Sequence, residues 1–461
     1  MIARVLLALP LAAALCVSSS AHAAPADDLG AVIADHRKYW LSVNPEQATA
    51  LGVRDHDNLI ADISLAELDR QAKAAQAFLD RLGAIADTSL APAERTNKGV
   101  LTRILAEQIE ANRYGQRTIL FTTYYGWHQG FAGMADNLPF RTRADFESYL
   151  KRLSLFPQLN ADGIAISRQA IAKGYVQPCE AMGGFENGIT GAIAGAPEAT
   201  RFYAPFKGAR PIDVMEQDWI AMKARAVGII RDVLVPEYGK LADFYLKEYK
   251  PRCRKSVGAS AMPDGAAWYG FQARSYTTTL LSPDQIHVIG LGEVARIRAE
   301  MVKVATDAGY PSREAFIAKL RTDPAYYAKT PAELMAAAAS VAKQIDGKMP
   351  GLFGRLPRLP YGLREIPKET AETTTTAYYS PGAPEIGVAG NYYVNTSKLS
   401  QRPLWELPAL TLHEAVPGHH HQIALQQELA LPEFRKHLVG FTAFVEGWGL
   451  YSEHLGIEMG L

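Results

Sequence analysis

The sequence predicts a mainly α-helical protein with one small β element. Three N-terminal helix signatures, two long amphipathic stretches and a single Thr-, Tyr- and Val-rich interruption support that reading. The chain has 461 residues, 48% of them apolar, enough for one large domain or two smaller ones. Its 48 basic and 48 acidic side chains leave a formal charge of zero, so there is no electrostatic ground for a nucleic acid or anionic membrane partner.

The opening "MIARVLLALPLAAALCVSSSAHA" is expected to be a signal peptide over residues 1–23. Arg4 supplies the positive end, Val5 to Val17 the apolar stretch, and Ala21-His22-Ala23 the small-x-small cleavage site. The apolar run is too short to span a bilayer. Leu15 stands where a lipidation motif wants a small residue before Cys16. The expectation is therefore cleavage after Ala23, export to a bacterial periplasm, and no membrane span once the segment is gone. Cys179 and Cys253 then remain, and an oxidising compartment favours a bridge between them over two separate buried thiols.

Ser64-Leu65-Ala66-Glu67 is a capping box, followed by a stripe of Leu68, Ala75, Phe78, Leu79 and Leu82. Ser282-Pro283-Asp284-Gln285 and Thr330-Pro331-Ala332-Glu333 each combine a hydroxyl N-cap, proline at N1 and an acid or amide at N3. Amphipathic helix is also expected over roughly 212–249 and 424–439. In 256–271 a Gly-rich loop, turning at Pro263-Asp264-Gly265, leads into a helix. The exception is 373–397, "TTTTAYYSPGAPEIGVAGNYYVNTS", which reads as two short strands around Ser380-Pro381-Gly382.

Chemistry concentrates in "HEAVPGHHHQ", residues 413–422. A His-Glu-x-x-His helix places two imidazoles one turn apart, where both reach one ion, and the glutamate reaches the ion's water as a base. His413-Glu414 begins that pattern, but Pro417 occupies the second ligand position. Proline has no N–H to bond the His413 carbonyl and its ring crowds it, so a bulge or kink is expected between Val416 and His419. That break would return His419 to the metal side. On an unbroken helix His420 would point with His413, but about 10 Å further along the axis. Glu446, on a second amphipathic helix, is the candidate third ligand, and Glu453, seven residues on, would orient a ligand imidazole. His420 and His421 remain open as substrate or metal contacts. "NYYVN" (391–395) is either a half-buried strand or an edge that pairs with an extended peptide. In the second case Tyr378, Tyr379, Tyr392 or Tyr393 would donate to a tetrahedral intermediate, and alternation lets only one of each adjacent pair face the site.

His413-Glu414-x-x-Pro417-Gly418-His419-x-x-Gln422, followed by Glu446-Gly447-Trp448-x-Leu450-Tyr451-x-Glu453, resembles the DUF885 family of bacterial proteins. "SVGASAMPDGAAWY" (256–269) and "YYVNTS" (392–397) are similar to family segments too, so the likeness covers most of the mature chain. It implies kinship with helical zinc metallopeptidases of the thimet-oligopeptidase and Taq-carboxypeptidase kind, whose His-Glu-Phe-Gly-His aligns its final Gly-His with Gly418-His419. The implied organisation is one helical metallopeptidase-like domain over 24–461, with an N-terminal helical part to about 250 and a metal-site part from about 251. The implied activity is hydrolysis of a peptide or small amide with one Zn²⁺ on His413, His419 and Glu446, and Glu414 as general base. Rival readings are a zinc amidase on a non-peptide or cell-wall substrate, and a non-catalytic periplasmic metal-binding protein. A store needs no base beside its ligand, so Glu414 speaks against the last. Family members usually continue through further helices, so the chain is expected to be C-terminally truncated at Leu461.

Overall fold

The computed structural model describes residues 25–122, 125–437 and 440–461. The expected signal segment lies outside them. All three capped helices form. Ser64 Oγ accepts the Glu67 N–H at 3.2 Å and opens Leu65–Gly83. Ser282 and Gln285 exchange both bonds of their box at the head of Pro283–Asp307. Thr330 Oγ1 accepts from Glu333 at the head of α1, Pro331–Leu352.

The stretch expected over 212–249 is helical from Glu216 to Tyr249, with π-type turns at Ile230–Leu234 and Tyr245–Tyr249. The one expected over 424–439 is not a single helix. It breaks at Leu429–Pro432 and resumes only as Glu433–His437, because Pro432 cannot continue the backbone ladder. Gly265 opens Gly265–Thr277 after Asp264, which sits at φ 53°. A Cβ on Gly265 would lie 2.0 Å from the Ala259 carbonyl oxygen, so only glycine fits this turn.

The β element has three strands: β1 Tyr361–Glu365, β2 Ala377–Ser380 and β3 Gly390–Val394, in spatial order β1-β3-β2. β2 and β3 are the two strands the sequence announces, paired antiparallel with Tyr379 opposite Tyr392. β1 adds a parallel partner on the other side of β3. Ala377, Tyr392 and Val394 pack with Leu334 and Ala338 of α1, and with Leu407 and Ala415. Tyr378 and Tyr393 stack on the opposite face, 4.8 Å apart, beside Ile366 and Ala371.

The largest core is aromatic and runs from Phe121 to Tyr249, with Phe131, Phe156, Phe202 and Tyr238 among its members. Cys179 and Cys253 form a disulfide in this part of the chain, closing a 74-residue separation. Phe434, from the histidine-bearing region, packs instead into a cluster otherwise built by residues between Leu29 and Leu105. That contact ties the C-terminal region to the first helices.

Candidate metal centre

Three helices build the site: α2 Leu407–Glu414, α3 His419–Glu428 and α4 Thr442–Glu458. α2 stops at Glu414, so the break covers Ala415 to Gly418 and begins one residue ahead of the kink expected between Val416 and His419. Ala415 leaves helical geometry at φ −98°, ψ −108°, the Val416–Pro417 bond is cis, and α3 starts at His419. A Cβ on Gly418 would sit 1.9 Å from the His413 carbonyl oxygen. The chain can fold back against that carbonyl only because proline brings no N–H and glycine brings no side chain. The Trp448 indole N–H donates to the Pro417 carbonyl at 2.7 Å and pins the break to α4. Nothing in a spacing pattern reveals this contact, because it depends on a carbonyl that the kink leaves for a side chain to satisfy.

The break brings His413 and His419 together, with ring centroids 4.6 Å apart and planes at 89°. Glu446 reaches the same point: its Oε2 lies 3.3 Å from His413 Nε2 and 3.7 Å from His419 Nε2. One ligand atom from each of the three residues lies within 4.8 Å of the others. Tetrahedral donors at about 2.0–2.1 Å from zinc stand about 3–3.5 Å apart, so the two glutamate legs are near that spacing and the cluster as a whole would draw together around one small ion.

Two features of α4 orient the first imidazole. Glu453 Oε1 accepts from His413 Nδ1 at 2.7 Å, leaving Nε2 turned to the shared point. Gly449 lies between Glu446 and Glu453 on one helix face, and a Cβ there would meet the His413 ring at 2.7 Å. His419 has no equivalent support, because its Nδ1 is buried and finds no hydrogen-bond partner among the described residues.

Glu414 is buried, and burial pushes its carboxyl up to about 7. Its neighbours Glu446 and Glu453 push the same way, while His413 and a hydrogen bond from the Tyr379 backbone N–H oppose them. A carboxyl near neutrality beside three convergent ligands is suited to taking and returning a proton.

The remaining candidates take other places. His420 does not join the ligands. Its Nε2 lies 3.0 Å from the Leu359 carbonyl and its Nδ1 3.0 Å from the Tyr379 hydroxyl, so both nitrogens are engaged; burial lowers its pKa to about 4. His421 is buried against Phe353, with ring centroids 4.6 Å apart, and lines an apolar pocket of about 580 Å³ with Leu425, Phe441 and Trp448. Tyr392 is fully buried, its hydroxyl 3.4 Å from Thr411 Oγ1, and Tyr393 faces the other side of the sheet. The strand's own packing claims both rings, so neither stands as a donor to substrate. A cleft of about 360 Å³ is lined by Ser380 at the end of β2, Ile423 of α3 and Val445 of α4, together with Gln47 and Asn137; the three candidate ligands are not in its lining.

A kinked His-Glu…His pair completed by a helical glutamate, in a mainly helical fold, defines a candidate metal-site protein of the helical type. The chain belongs to the family described as "Bacterial protein of unknown function (DUF885)", whose model matches residues 45–461. It is similar in fold to a Colwellia psychrerythraea protein described as a "putative lipoprotein", with 21% identity and a TM-score of 0.82 over 95% of this chain and 79% of that one. A Shewanella oneidensis protein, a "putative lipoprotein of unknown function", is similar at 18% identity and a TM-score of 0.60, over 95% of this chain and 78% of that one. No curated protein matches the chain.

Proposed function

We propose that the protein is a zinc-dependent hydrolase that cleaves short peptides. The observation that carries this reading is the convergence of His413, His419 and Glu446 on one point with the buried Glu414 carboxyl next in sequence to the first ligand. When bound there, Zn²⁺ would supply Lewis acidity towards a carbonyl and lower the pKa of a water. His413, His419 and Glu446 would hold it, and Glu453 would keep His413 in the tautomer that presents Nε2. Glu414 takes a proton from the attacking water and hands it to the leaving amine. The cleft beside Ser380, Ile423 and Val445 is of a size for a few residues of extended chain.

Export to a bacterial periplasm belongs to the same proposal. Arg4, the apolar run to Val17 and Ala21-His22-Ala23 support it, together with the Cys179–Cys253 disulfide and the description of two similar structures as lipoproteins. The test is hydrolysis of a peptide library by purified protein, with and without chelator. Cleavage that chelator abolishes and zinc restores supports the reading. Cleavage only of non-peptide amides favours the amidase alternative, and several bound ions without turnover favour a metal store.

A further inference from the structure

Tyr379 faces three partners, Glu414, His420 and Gly382. Its backbone N–H lies close enough to the Glu414 carboxylate to favour the charged form, its hydroxyl lies 3.0 Å from His420 Nδ1, and the Gly382 N–H faces the same hydroxyl. The sheet register explains the first contact. Asn395 N–H bonds the Thr376 carbonyl at 3.0 Å, so hydrogen-bonded pairs recur at Tyr378–Tyr393 and Ser380–Asn391. Tyr379 falls between them and turns its backbone N–H away from β3, towards α2. The second contact has a defined direction. His420 Nε2 faces the Leu359 carbonyl, which can only accept, so Nε2 carries the hydrogen and the Nδ1 of the neutral ring is a bare acceptor. The Tyr379 hydroxyl therefore donates to His420, and its oxygen is free to take the Gly382 N–H from the turn that ends β2.

We propose that His420 is a positioning residue: it holds the Tyr379 hydroxyl, and through it the register and height of the β2 edge, so that the Tyr379 N–H aims the Glu414 carboxylate at the ligand cluster. His420 follows His419 directly in sequence, so the turn of helix that carries the second ligand also fixes the general base from the opposite side. The inference rests on the hydrolase reading for its kinetic consequence, but not for its structural one.

The test separates the two ring nitrogens. His420→Asn places an amide oxygen where Nδ1 was and keeps an acceptor for Tyr379. His420→Gln places its amide at the Nε2 end, keeping the Leu359 contact and losing that acceptor. In metal-free protein labelled with [¹⁵N]tyrosine, the Tyr379 amide should exchange about tenfold faster in the Gln variant, while Tyr378, held by β3, is unchanged. The Asn variant should stay near wild type. With zinc, His420→Gln and Tyr379→Phe should each lower kcat by about ten- to a hundredfold with KM little changed and one ion per chain. The double variant should be no worse than either alone. Equal exchange in wild type and Gln variant, or Tyr378 loosening as much as Tyr379, would overturn the proposal. A wild type that cleaves no peptide, yet shows the Tyr379-specific change, would remove the hydrolase reading and leave the positioning contact standing.

Discussion

The aromatic core between Phe121 and Tyr249 and the region around His413 bury opposite kinds of group. In the first, ring packs on ring: Phe156 and Tyr238 are both fully buried and stack at 4.7 Å. In the second, Glu414, His419, His420 and His421 are all buried within a few residues of one another, and two glycines are pressed against His413. Apolar rings stabilise by leaving water, whereas buried ionisable groups destabilise unless something compensates them. The difference teaches that stability and chemistry are housed separately in this chain, and that they can be perturbed separately.

The sharpest separation should come from Glu414→Gln. The amide keeps the shape and loses the proton acceptor, so turnover should fall by about 10²–10⁴-fold. Zinc stoichiometry should not change. Retained turnover in a metal-loaded variant would eliminate Glu414 as the base. The mirror experiment is Phe156→Ala, which removes a fully buried ring. It should lower unfolding free energy by about 3–5 kcal/mol in denaturant titrations, with zinc affinity unchanged. A matching loss of zinc affinity would mean the two regions are not independent.

A smaller effect is expected at Glu453, which would act on a bound ion only through His413. Glu453→Gln should weaken zinc binding by about 10–100-fold, measured by competition with a chelator, and leave stability of the metal-free protein nearly unaltered. Smaller still is a pH effect. Without metal, the folded chain holds a proton on Glu414 up to about 7, while an unfolded chain releases it near the ordinary glutamate value. Stability of the wild type should therefore fall as pH rises through that window. Metal-free Glu414→Gln lacks the effect and should be more stable than wild type at about pH 8, by up to about 3 kcal/mol, with the difference vanishing below about pH 4.5. Parallel pH profiles would show that burial of Glu414 is not opposed in the way proposed.

The same contrast explains what could be read from the sequence. The helices announced by Ser64, Ser282 and Thr330 are local, each written in four residues, and all three form. The kink at Pro417 is equally local, because the loss of one N–H and the freedom of Gly418 are properties of those residues alone. β1 was not legible: Tyr361–Glu365 is five residues between prolines, and its pairing partner lies in β3. The roles of Tyr379 and His420 were not legible either. They depend on strand register, which decides which way one backbone N–H points, and on the Leu359 carbonyl, far from His420 in sequence. Tyr392 and Tyr393 were named from the same segment, and that same register turns their rings into packing.

The break at Pro417 would bring His419, and not its neighbours, to an ion shared with His413 and Glu446. The most direct measurement is zinc stoichiometry and affinity of the purified protein, by elemental analysis and chelator competition, in wild type, His419→Ala and His421→Ala. The account predicts one ion per chain, held by wild type and His421→Ala alike and lost from His419→Ala. Several ions per chain, or one ion bound as tightly without His419, would contradict it.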